Sequence, residues 1–392
     1  MSNRDFDIVV FGATGFTGQL TARYLASQKP AKWAIAGRNA DKLEALGLDV
    51  PTVIVDAMDP KACADVARRA KVVCTTVGPY TKYGAALVGA CAEAGTHYCD
   101  LTGEVNFMRA TIDAHHERAK ATGARIVHTC GFDSIPSDLG TWATQQEFTA
   151  RFGRPARKVT AFYGETSGGL SGGTAASGFA IADAMSDPAV RKIMRNPYAL
   201  DPDPDGPHPK VDNRQVGWEP TLKMFVAPFF MAATNSPVVR RGHALAGRPW
   251  GNDFVYREVM STPGNARGAV MAATVTAGLV GLAAAMKRPW LRKRLEARAP
   301  QPGDGPSAEK RERGHWKIRF LAEDGDDKLI YIVADPHGDP GYKSTSKMLG
   351  ESALCLAYDP LTSEGGVLTP SVAMDGALLA RLRKAGLVFE PR

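Results

Sequence analysis

The segment VVFGATGFTGQL, residues Val9–Leu20, joins an apolar run rich in β-branched residues to a run with helical spacing. Gly12, Gly15 and Gly18 stand three residues apart where the two runs meet. The apolar run predicts a buried parallel strand, because such strands are covered on both faces. A strand, a glycine-rich turn and a helix in this order predict the first unit of a parallel sheet.

The glycine spacing predicts a turn that binds a diphosphate. Gly12 permits the tight turn, Gly15 lets backbone N–H groups approach the phosphates, and Gly18 lets the helix pack closely on the strand. The N–H groups and the dipole of a helix N-terminus favour anions. Glycine-rich turns also end strands without binding anything, so the pattern G-x-x-G-x-x-G gains weight only from its place between strand and helix. The residues that we expect to contact a dinucleotide here are Gly12, Ala13, Thr14, Gly15, Phe16, Thr17 and Gly18.

Arg38 indicates which dinucleotide is bound. The second predicted strand ends in WAIAGRN, residues Trp33–Asn39, and the first acid after it is Asp41. An acid at this strand end accepts from the ribose 2′-OH of NAD, whereas an arginine accommodates the 2′-phosphate of NADP. We therefore expect NADP(H), with Asn39 and Lys42 beside Arg38. The alternative is a solvated surface arginine.

Strand-like and helix-like runs alternate through the first third of the chain. This alternation predicts a Rossmann-type, doubly wound parallel sheet of the α/β class. Ligands of such sheets bind beyond the carboxyl ends of the strands, and Asp56 at the third strand end is placed to meet the adenine. The further predicted strands are Thr52–Asp59, Lys71–Tyr80, Thr96–Glu104 and Ala124–Asp138.

Composition limits the class of protein. The 392 residues are 44% hydrophobic and 23% charged, which is typical of a globular chain of two domains. The net charge of +7 favours anionic ligands, but no nucleic-acid motif accompanies it, so we expect no nucleic-acid partner. The six cysteines include no C-x-x-C pair and predict reduced core residues, no metal site and a cytoplasmic location. The polar N-terminus leads directly into a strand, and we expect no signal peptide.

The pattern changes after about residue 140. Lys158–Gly178 predicts a strand and a small-residue loop that opens a helix, and His315–Asp335 predicts a β-hairpin. Gly341–Asp359 returns to a strong helical pattern. We predict an NADP-binding domain at residues 1–138, a second α/β or α+β domain for substrate and dimerisation at 139–340, and a C-terminal helical segment at 341–392 that packs back on the first domain.

An uncharged run, Gly268–Met286, precedes the basic stretch Lys287–Arg298. Three interpretations are open. The run is a buried or dimer-packing helix, or a helix that lies on a membrane surface with its basic flank, so that residues 268–298 make a peripheral contact. The third is a membrane span.

Several longer phrases occur from one end of the chain to the other. They are GATGFTG, AGRN, VGPYTKYG, ACAEAGTHYCDLTGE, CGFDSIPSDLG, SGGTAAS, PQPGDGPS, DPGYKSTSKMLGESALCLA and GGVLTPSVAMDGALLARL. In these phrases the chain resembles the saccharopine dehydrogenase-like oxidoreductases, in particular their trans-acting enoyl reductase branch. The resemblance implies a second α/β domain, a C-terminal helix that returns to the first domain, and NADP-dependent reduction of lipid or polyketide chains carried by a separate synthase. The apolar, aromatic segment Leu222–Thr234 argues against saccharopine itself as substrate.

The resemblance also places residues around the nicotinamide. Val77, Gly78, Pro79 and Tyr80 are expected beside its ribose, and Gly131, Phe132, Asp133 and Ser134 near its ring. Tyr80 is our first candidate for a proton donor, with packing beneath the cofactor as the alternative. Asp133 and Ser134 are further catalytic candidates, or only form a helix cap. Asp100 and Glu104 bind the ribose or cap the next helix.

A donor-rich loop is our candidate for substrate binding. Ser171, Gly172, Gly173 and Thr174 can grip a carbonyl or a phosphopantetheine, or form a plain turn before a helix. We treat His97, His115, His116 and His128 as surface or packing residues, because they show no ligand spacing with carboxylates.

Three functions remain open at this point. The first is an NADPH-dependent reductase, a trans-acting enoyl reductase that acts on a carbon–carbon double bond of a lipid or polyketide intermediate. The second is a saccharopine- or opine-type amino-acid dehydrogenase that acts on a C–N bond. The third is an NADP-binding, membrane-associated protein with little turnover.

Overall fold

The computed structural model describes residues 4–166, 172–211, 216–299 and 305–392. The strands in these residues are β1 (Phe6–Phe11), β2 (Trp33–Gly37), β3 (Thr52–Ile54), β4 (Ala70–Thr75), β5 (His97–Cys99), β6 (Arg125–Val127), β7 (Lys158–Thr166), β8 (Gly217–Glu219), β9 (Met224–Pro228), β10 (Val255–Thr262), β11 (Trp316–Asp324), β12 (Asp327–Asp335), β13 (Gly366–Leu368) and β14 (Val388–Pro391).

The helices follow the same order along the chain. They are α1 (Phe16–Gln28), α2 (Ala40–Glu44), α3 (Pro60–Arg69), α4 (Tyr80–Tyr83), α5 (Ala85–Ala94), α6 (Val105–Thr122), α7 (Ile135–Phe152), α8 (Gly172–Ala184), α9 (Pro188–Arg195), α10 (Ala232–Leu245), α11 (Ala266–Met286), α12 (Pro289–Arg298), α13 (Ala308–Glu312), α14 (Thr345–Tyr358) and α15 (Pro370–Lys384). A π-helical turn at Pro340–Ser344 leads into α14.

The first sheet contains seven parallel strands in the order β13-β6-β5-β4-β1-β2-β3. Val9 of β1 pairs with Ala34 of β2 on one side and with Val73 of β4 on the other. All three side chains are buried, because helices cover both faces of the sheet. The strand order reverses between β1 and β4, which is where such sheets bind dinucleotides. The predicted doubly wound α/β fold is confirmed.

The second sheet is mixed, in the order β14-β12-β11-β7-β10-β9-β8. β7 and β10 run parallel, and the other neighbours pair antiparallel. The predicted hairpin is confirmed as β11 and β12, with Phe320 opposite Tyr331. Helix α7 follows β6 of the first sheet and packs on this hairpin, where a Cβ on Gly140 would lie 2.7 Å from Phe320 Cζ. The same helix therefore leads from the dinucleotide crevice to the second sheet.

The C-terminal segment contributes to both sheets. Helix α14 packs on α1 and β4 of the first sheet, where Tyr24 Oη donates to Glu351 Oε1 at 2.6 Å. β13 then extends the first sheet beside β6, and β14 extends the second beside β12. The domain boundaries at residues 138 and 340 stay a prediction.

Four strands of the first sheet end earlier than the sequence predicts, because polar residues at their ends bind the loops that follow. Asp56 accepts from Met58 N–H at 2.9 Å after β3. Thr75 Oγ1 accepts from Val77 N–H at 3.2 Å after β4. Asp100 accepts from backbone N–H groups that follow both β5 and β6. Each of these bonds turns the chain away from the strand direction, so β3, β4, β5 and β6 stop at Ile54, Thr75, Cys99 and Val127.

Helix α11 corrects one interpretation of the uncharged run. It is not a core helix, because only 6% of its most apolar stretch of 18 residues is buried. Val270 and Val280 are each 66% exposed, and Leu282 is 49% exposed. Within the described residues, α11 is the helix that is long and apolar enough to cross a membrane.

Candidate active site

The glycine turn fits a diphosphate. Gly12 has φ +87°, and a Cβ there would lie 2.5 Å from Val77 Cγ2. A Cβ on Gly18 would lie 2.1 Å from the carbonyl oxygen of Gly12, so the start of α1 sits directly on the end of β1. The helix has no side-chain cap and no acid in its first turn. Its first N–H groups are therefore available to an anion, as a dinucleotide requires.

The end of β2 lies beside this turn. The backbone N–H groups of Gly12 and Ala13 donate to the carbonyl oxygen of Ala36 at 2.8 and 3.2 Å. Arg38 follows two residues later and is exposed. A guanidinium at this place fits the 2′-phosphate of NADP, since it can form a bidentate, charge-assisted contact.

The neighbours of Arg38 have local roles. Asn39 caps α2, because its side chain accepts from Lys42 N–H at 2.9 Å. The Lys42 side chain is exposed on α2, and Asp56 is exposed at the end of β3. All three residues follow the ends of β2 and β3, the strands on the side where the adenosine is expected.

Tyr80 is enclosed. Its phenol donates to the Thr75 carbonyl oxygen at 3.3 Å and accepts from Leu101 N–H at 3.2 Å. The ring packs beside Phe107, with the centroids 5.9 Å apart. Burial raises the pKa of the Tyr80 phenol well above its usual range. Both bonds of the hydroxyl are made inside the protein, which favours the packing alternative over proton donation.

Glu104 binds the start of a helix other than its own. Its Oε1 accepts from Tyr80 N–H at 2.9 Å, and its Oε2 accepts from Thr81 N–H at 2.8 Å. The carboxylate therefore caps α4 and fixes the turn Val77–Tyr80. Ser177 of α8 also donates to Glu104 Oε1 at 3.3 Å, which brings α8 to the same turn.

Asp100 joins the ends of β5 and β6. Its Oδ1 accepts from Thr102 N–H at 3.0 Å and from Thr129 N–H at 3.1 Å. Its Oδ2 accepts from the Tyr98 hydroxyl at 2.9 Å and lies 2.7 Å from His128 Nδ1. Asp100 is fully buried, so its role is to hold together the loops that follow β5 and β6. Sequence reasoning missed its contact with His128, which depends on the pairing of the two strands.

The segment Gly131–Ser134 leads into α7. Phe132 N–H donates to Thr345 Oγ1 at 3.1 Å. Asp133 is half-buried, and burial raises the pKa of its carboxyl to about 7. A carboxyl in this state can hold a proton near neutral pH and release it.

Ser134 does not cap its own helix through its side chain. Its Oγ donates instead to Asn235 Oδ1 at 3.0 Å. Asn235 Nδ2 donates to Glu258 Oε2 at 3.1 Å, and the Tyr256 hydroxyl donates to Glu258 Oε1 at 2.6 Å. This buried network ties α7 to α10 and β10. Sequence reasoning gave no signal for it, because its members lie far apart along the chain.

An aromatic wall stands next to the network. The Tyr163 ring stacks on Phe229 with centroids 4.0 Å apart, and Phe132 packs edge-on against Tyr163 at 6.2 Å. Phe230 follows and is 58% exposed. Tyr163 and Phe229 are buried, so Phe132 and Phe230 are the rings of this group that keep accessible surface.

The predicted substrate loop is described only in part. Ser171 lies outside the described residues. Gly172, Gly173 and Thr174 lie in the first turn of α8. In the parts of the chain that the structure describes, no group of three or more His, Cys, Asp or Glu side chains is arranged to hold a metal ion.

The chain is similar to known proteins over nearly its whole length. Residues 8–127 match the family model of the saccharopine dehydrogenase NADP-binding domain. A protein of Mycobacterium tuberculosis H37Rv whose name proposes a trans-acting enoyl reductase is 42% identical in an alignment of 408 positions that covers 99% of this chain and 97% of that protein. The trans-acting enoyl reductase of Mycobacterium ulcerans is 40% identical in an alignment of 416 positions that covers 99% of this chain and 98% of the relative. Among solved structures, apo saccharopine dehydrogenase (L-Glu forming) from Saccharomyces cerevisiae shares the fold with a TM-score of 0.52 and 12% identity, over 98% of this chain and 99% of that one.

Proposed function

The chain belongs to the trans-acting enoyl reductases with a saccharopine dehydrogenase-type NADP-binding domain, and we propose that it reduces a carbon–carbon double bond of an acyl chain. It is an NADP-dependent oxidoreductase. The observation that carries the proposed activity is the similarity, over nearly the whole length, to relatives that bear this name. The uncapped start of α1 and Arg38 at the end of β2 supply the coenzyme site that such a reaction needs.

We assign coenzyme binding, proton donation and positioning to different residues of the site. NADPH supplies the hydride when it is bound. The turn Gly12–Gly18 binds its diphosphate, and Arg38 binds its 2′-phosphate. We assign the proton for the α-carbon to the Asp133 carboxyl, because that group is half-buried and its pKa is raised to about 7. Tyr80 and Ser134 act as positioning residues, since each hydroxyl is bound inside the protein.

The aromatic wall supports an apolar substrate. Phe132 and Phe230, backed by the buried rings of Tyr163 and Phe229, offer ring surface to an acyl chain and supply no cation for the carboxylates of an amino-acid substrate. We therefore favour a lipid or polyketide acyl chain carried by a separate synthase over a saccharopine- or opine-type reaction. We keep Ser171–Thr174 as the proposed site for the thioester carbonyl or the phosphopantetheine.

Helices α11 and α12 support a peripheral membrane contact as a second part of the proposal. Val270, Val280 and Leu282 of α11 are exposed, and Trp290 at the start of α12 is 59% exposed. The exposed cations beside them are Lys287, Arg288, Lys293, Arg294 and Arg298. An apolar helix with a tryptophan and a basic flank suits an anionic membrane surface. A second copy of the chain, as in a homodimer, is the other occupant that the test must distinguish, and we propose the cytoplasm as the compartment.

The activity is tested with purified protein, NADPH and 2-enoyl thioesters of increasing chain length, free and on a carrier protein. We expect oxidation of NADPH and a product that has gained two hydrogen atoms. A 2-oxo acid with an amino acid tests the opine-type alternative in the same assay. NADPH that binds tightly but is not oxidised with any enoyl thioester would reject the proposed activity and favour the binding protein with little turnover.

A further inference from the structure

Phe16, the first residue of α1, packs against a segment from far along the chain. We call residues 305–313 the covering segment. A Cβ on Gly305 would lie only 2.3 Å from Phe16 Cζ, so the backbone of this segment touches the ring. The Arg311 guanidinium lies over the same ring, with Cζ 5.3 Å from the centroid. Tyr342 meets the ring edge-on at 5.1 Å. The start of α1 is thus enclosed by residues of the second half of the chain.

The covering segment is held in place by contacts of its own. The carbonyl oxygen of Arg311 accepts from Asp339 N–H at 3.2 Å. The Arg311 side chain donates to the Pro306 carbonyl oxygen, and Glu312 pairs with Lys343 just before α14. These bonds fix the short helix α13 beside the start of α1. Arg311 is half-buried, which limits the volume that its side chain can sample.

The negative charge of the coenzyme suggests a role for Arg311 at the start of α1. A diphosphate carries two negative charges, and the turn Gly12–Gly18 contains no lysine or arginine. Backbone N–H groups and the helix dipole supply only partial positive charge there. We propose that Arg311 binds the diphosphate of the coenzyme, so that the second half of the chain completes the site that the glycine turn begins. The proposal rests on the coenzyme part of the proposed function and not on the acyl substrate.

The proposal separates two arginines by the phosphate that each contacts. The 2′-phosphate exists only in NADP(H), whereas both NADPH and NADH carry the diphosphate. Loss of Arg311 must therefore weaken both coenzymes alike, while loss of Arg38 must weaken only NADPH. Because Arg311→Ala removes one charge-assisted hydrogen bond to the diphosphate, we expect its dissociation constants for both coenzymes to rise about tenfold.

Arg313→Ala is the matched control. Arg313 follows α13 directly, its side chain is 81% exposed, and it pairs with Glu309 at 3.1 Å. Coenzyme fluorescence titration of the full chain gives the dissociation constants without any acyl substrate, and the melting temperature of each variant checks its fold. We expect Arg313→Ala to stay within about twofold of the wild-type chain, because exposed charges contribute little. Equal constants for Arg311→Ala and Arg313→Ala would overturn the proposal, as would a loss confined to NADPH.

Gly305→Ala tests the same placement without changing any charge. The added Cβ must move the covering segment away from Phe16, so we expect weaker binding of both coenzymes. Gly278→Ala is its control, because a Cβ on Gly278 meets nothing within 4 Å. Wild-type affinity in Gly305→Ala would contradict the claim that the contact with Phe16 positions Arg311. Failure to reduce enoyl thioesters would leave these results unchanged, so the two proposals are judged separately.

Discussion

The Glu104 carboxylate accepts a hydrogen bond from the backbone N–H of Tyr80 at 2.9 Å, across 24 residues of sequence. Its second oxygen accepts from the N–H of Thr81, and the side chain is fully buried. Two N–H groups at the start of α4 are thus satisfied by one carboxylate from the loop after β5. This carboxylate fixes the turn Val77–Tyr80, where we expect the nicotinamide ribose.

Glu104→Gln tests this relationship. The amide keeps one acceptor oxygen and presents an NH₂ group to the other N–H, so one buried donor loses its partner. We expect the free energy of unfolding to fall by about 1–3 kcal/mol and the affinity for NADPH to fall with it. Urea unfolding and coenzyme titration measure the two effects. Glu93→Gln is the control, because Glu93 is exposed and pairs only with Arg118 in its described contacts; an equal loss in both variants would contradict the assigned role.

The sequence predicted the features that lie within one local pattern. The first strand, the glycine turn and Arg38 at the second strand end follow from periodicity and spacing over short runs. The hairpin β11–β12 is also local, since only a tight turn separates its strands.

Features that depend on tertiary contacts were not predicted. Asp100 meets His128 because β5 pairs with β6, and Arg311 reaches Phe16 because α13 packs on the π-helical turn Pro340–Ser344, which also contacts α1. No local periodicity encodes such pairs. The exposure of α11 belongs to the same class, since an apolar helix has the same pattern whether it is buried or not.

Arg38→Ala should separate the two nicotinamide coenzymes. Because the guanidinium is expected to contact only the 2′-phosphate, we expect the dissociation constant for NADPH to rise about tenfold to a hundredfold. The constant for NADH should change little. Titration of both coenzymes measures the ratio, and Lys61→Ala, an exposed cation on α3, serves as control. Comparable losses for NADPH and NADH would remove the role of Arg38 in recognising the 2′-phosphate.

If Asp133 donates the proton, the rate of reduction should fall at alkaline pH. The carboxyl must be protonated to act as an acid, and its pKa is raised to about 7 by burial. We therefore expect kcat/KM for an enoyl thioester to fall as the pH rises through about 7. Asp133→Asn should lower kcat and remove this limb, while its affinity for NADPH stays unchanged. A pH–rate profile of Asp133→Asn that keeps the same limb would assign the proton to another group.

Glu258 should make the protein less stable as the pH rises. Burial raises the pKa of its carboxyl from 4.5 to about 7 in the folded state. The folded state therefore binds this proton more tightly than the unfolded state. The stabilisation is complete below the unfolded pKa and is lost as the pH rises to about 7.

Glu258→Gln measures this contribution. The shift corresponds to about 3 kcal/mol at most, so the variant should lose less stability than the wild-type chain between about pH 5 and pH 8. Urea unfolding at both pH values gives the difference. Asp133 and Asp138 have raised pKa values as well and leave a residual slope of the same sign. Identical slopes for Glu258→Gln and the wild-type chain would show that Glu258 does not titrate in this range.

The membrane contact of α11 and α12 should depend on charge. We expect combined replacement of Lys287, Arg288, Lys293 and Arg294 by alanine to lower binding to vesicles that contain phosphatidylserine. Each cation near an anionic surface contributes about 1 kcal/mol, so the partition coefficient should fall about a hundredfold or more. Arg292 is left in place, because it pairs with Asp183 of α8 and supports the fold.

The control for this variant removes charge from another basic helix. Arg191, Lys192 and Arg195 on α9 are replaced by alanine, and we expect vesicle binding to change little, because α9 lies outside the proposed contact surface of residues 268–298. Neutral phosphatidylcholine vesicles should bind the wild-type chain weakly, since they lack the attracting charge. Vesicle binding that is equal in both variants would reject the membrane contact. A dimer in solution that dissociates when Val270 and Val280 are replaced by aspartate would assign the exposed face of α11 to a second copy of the chain instead.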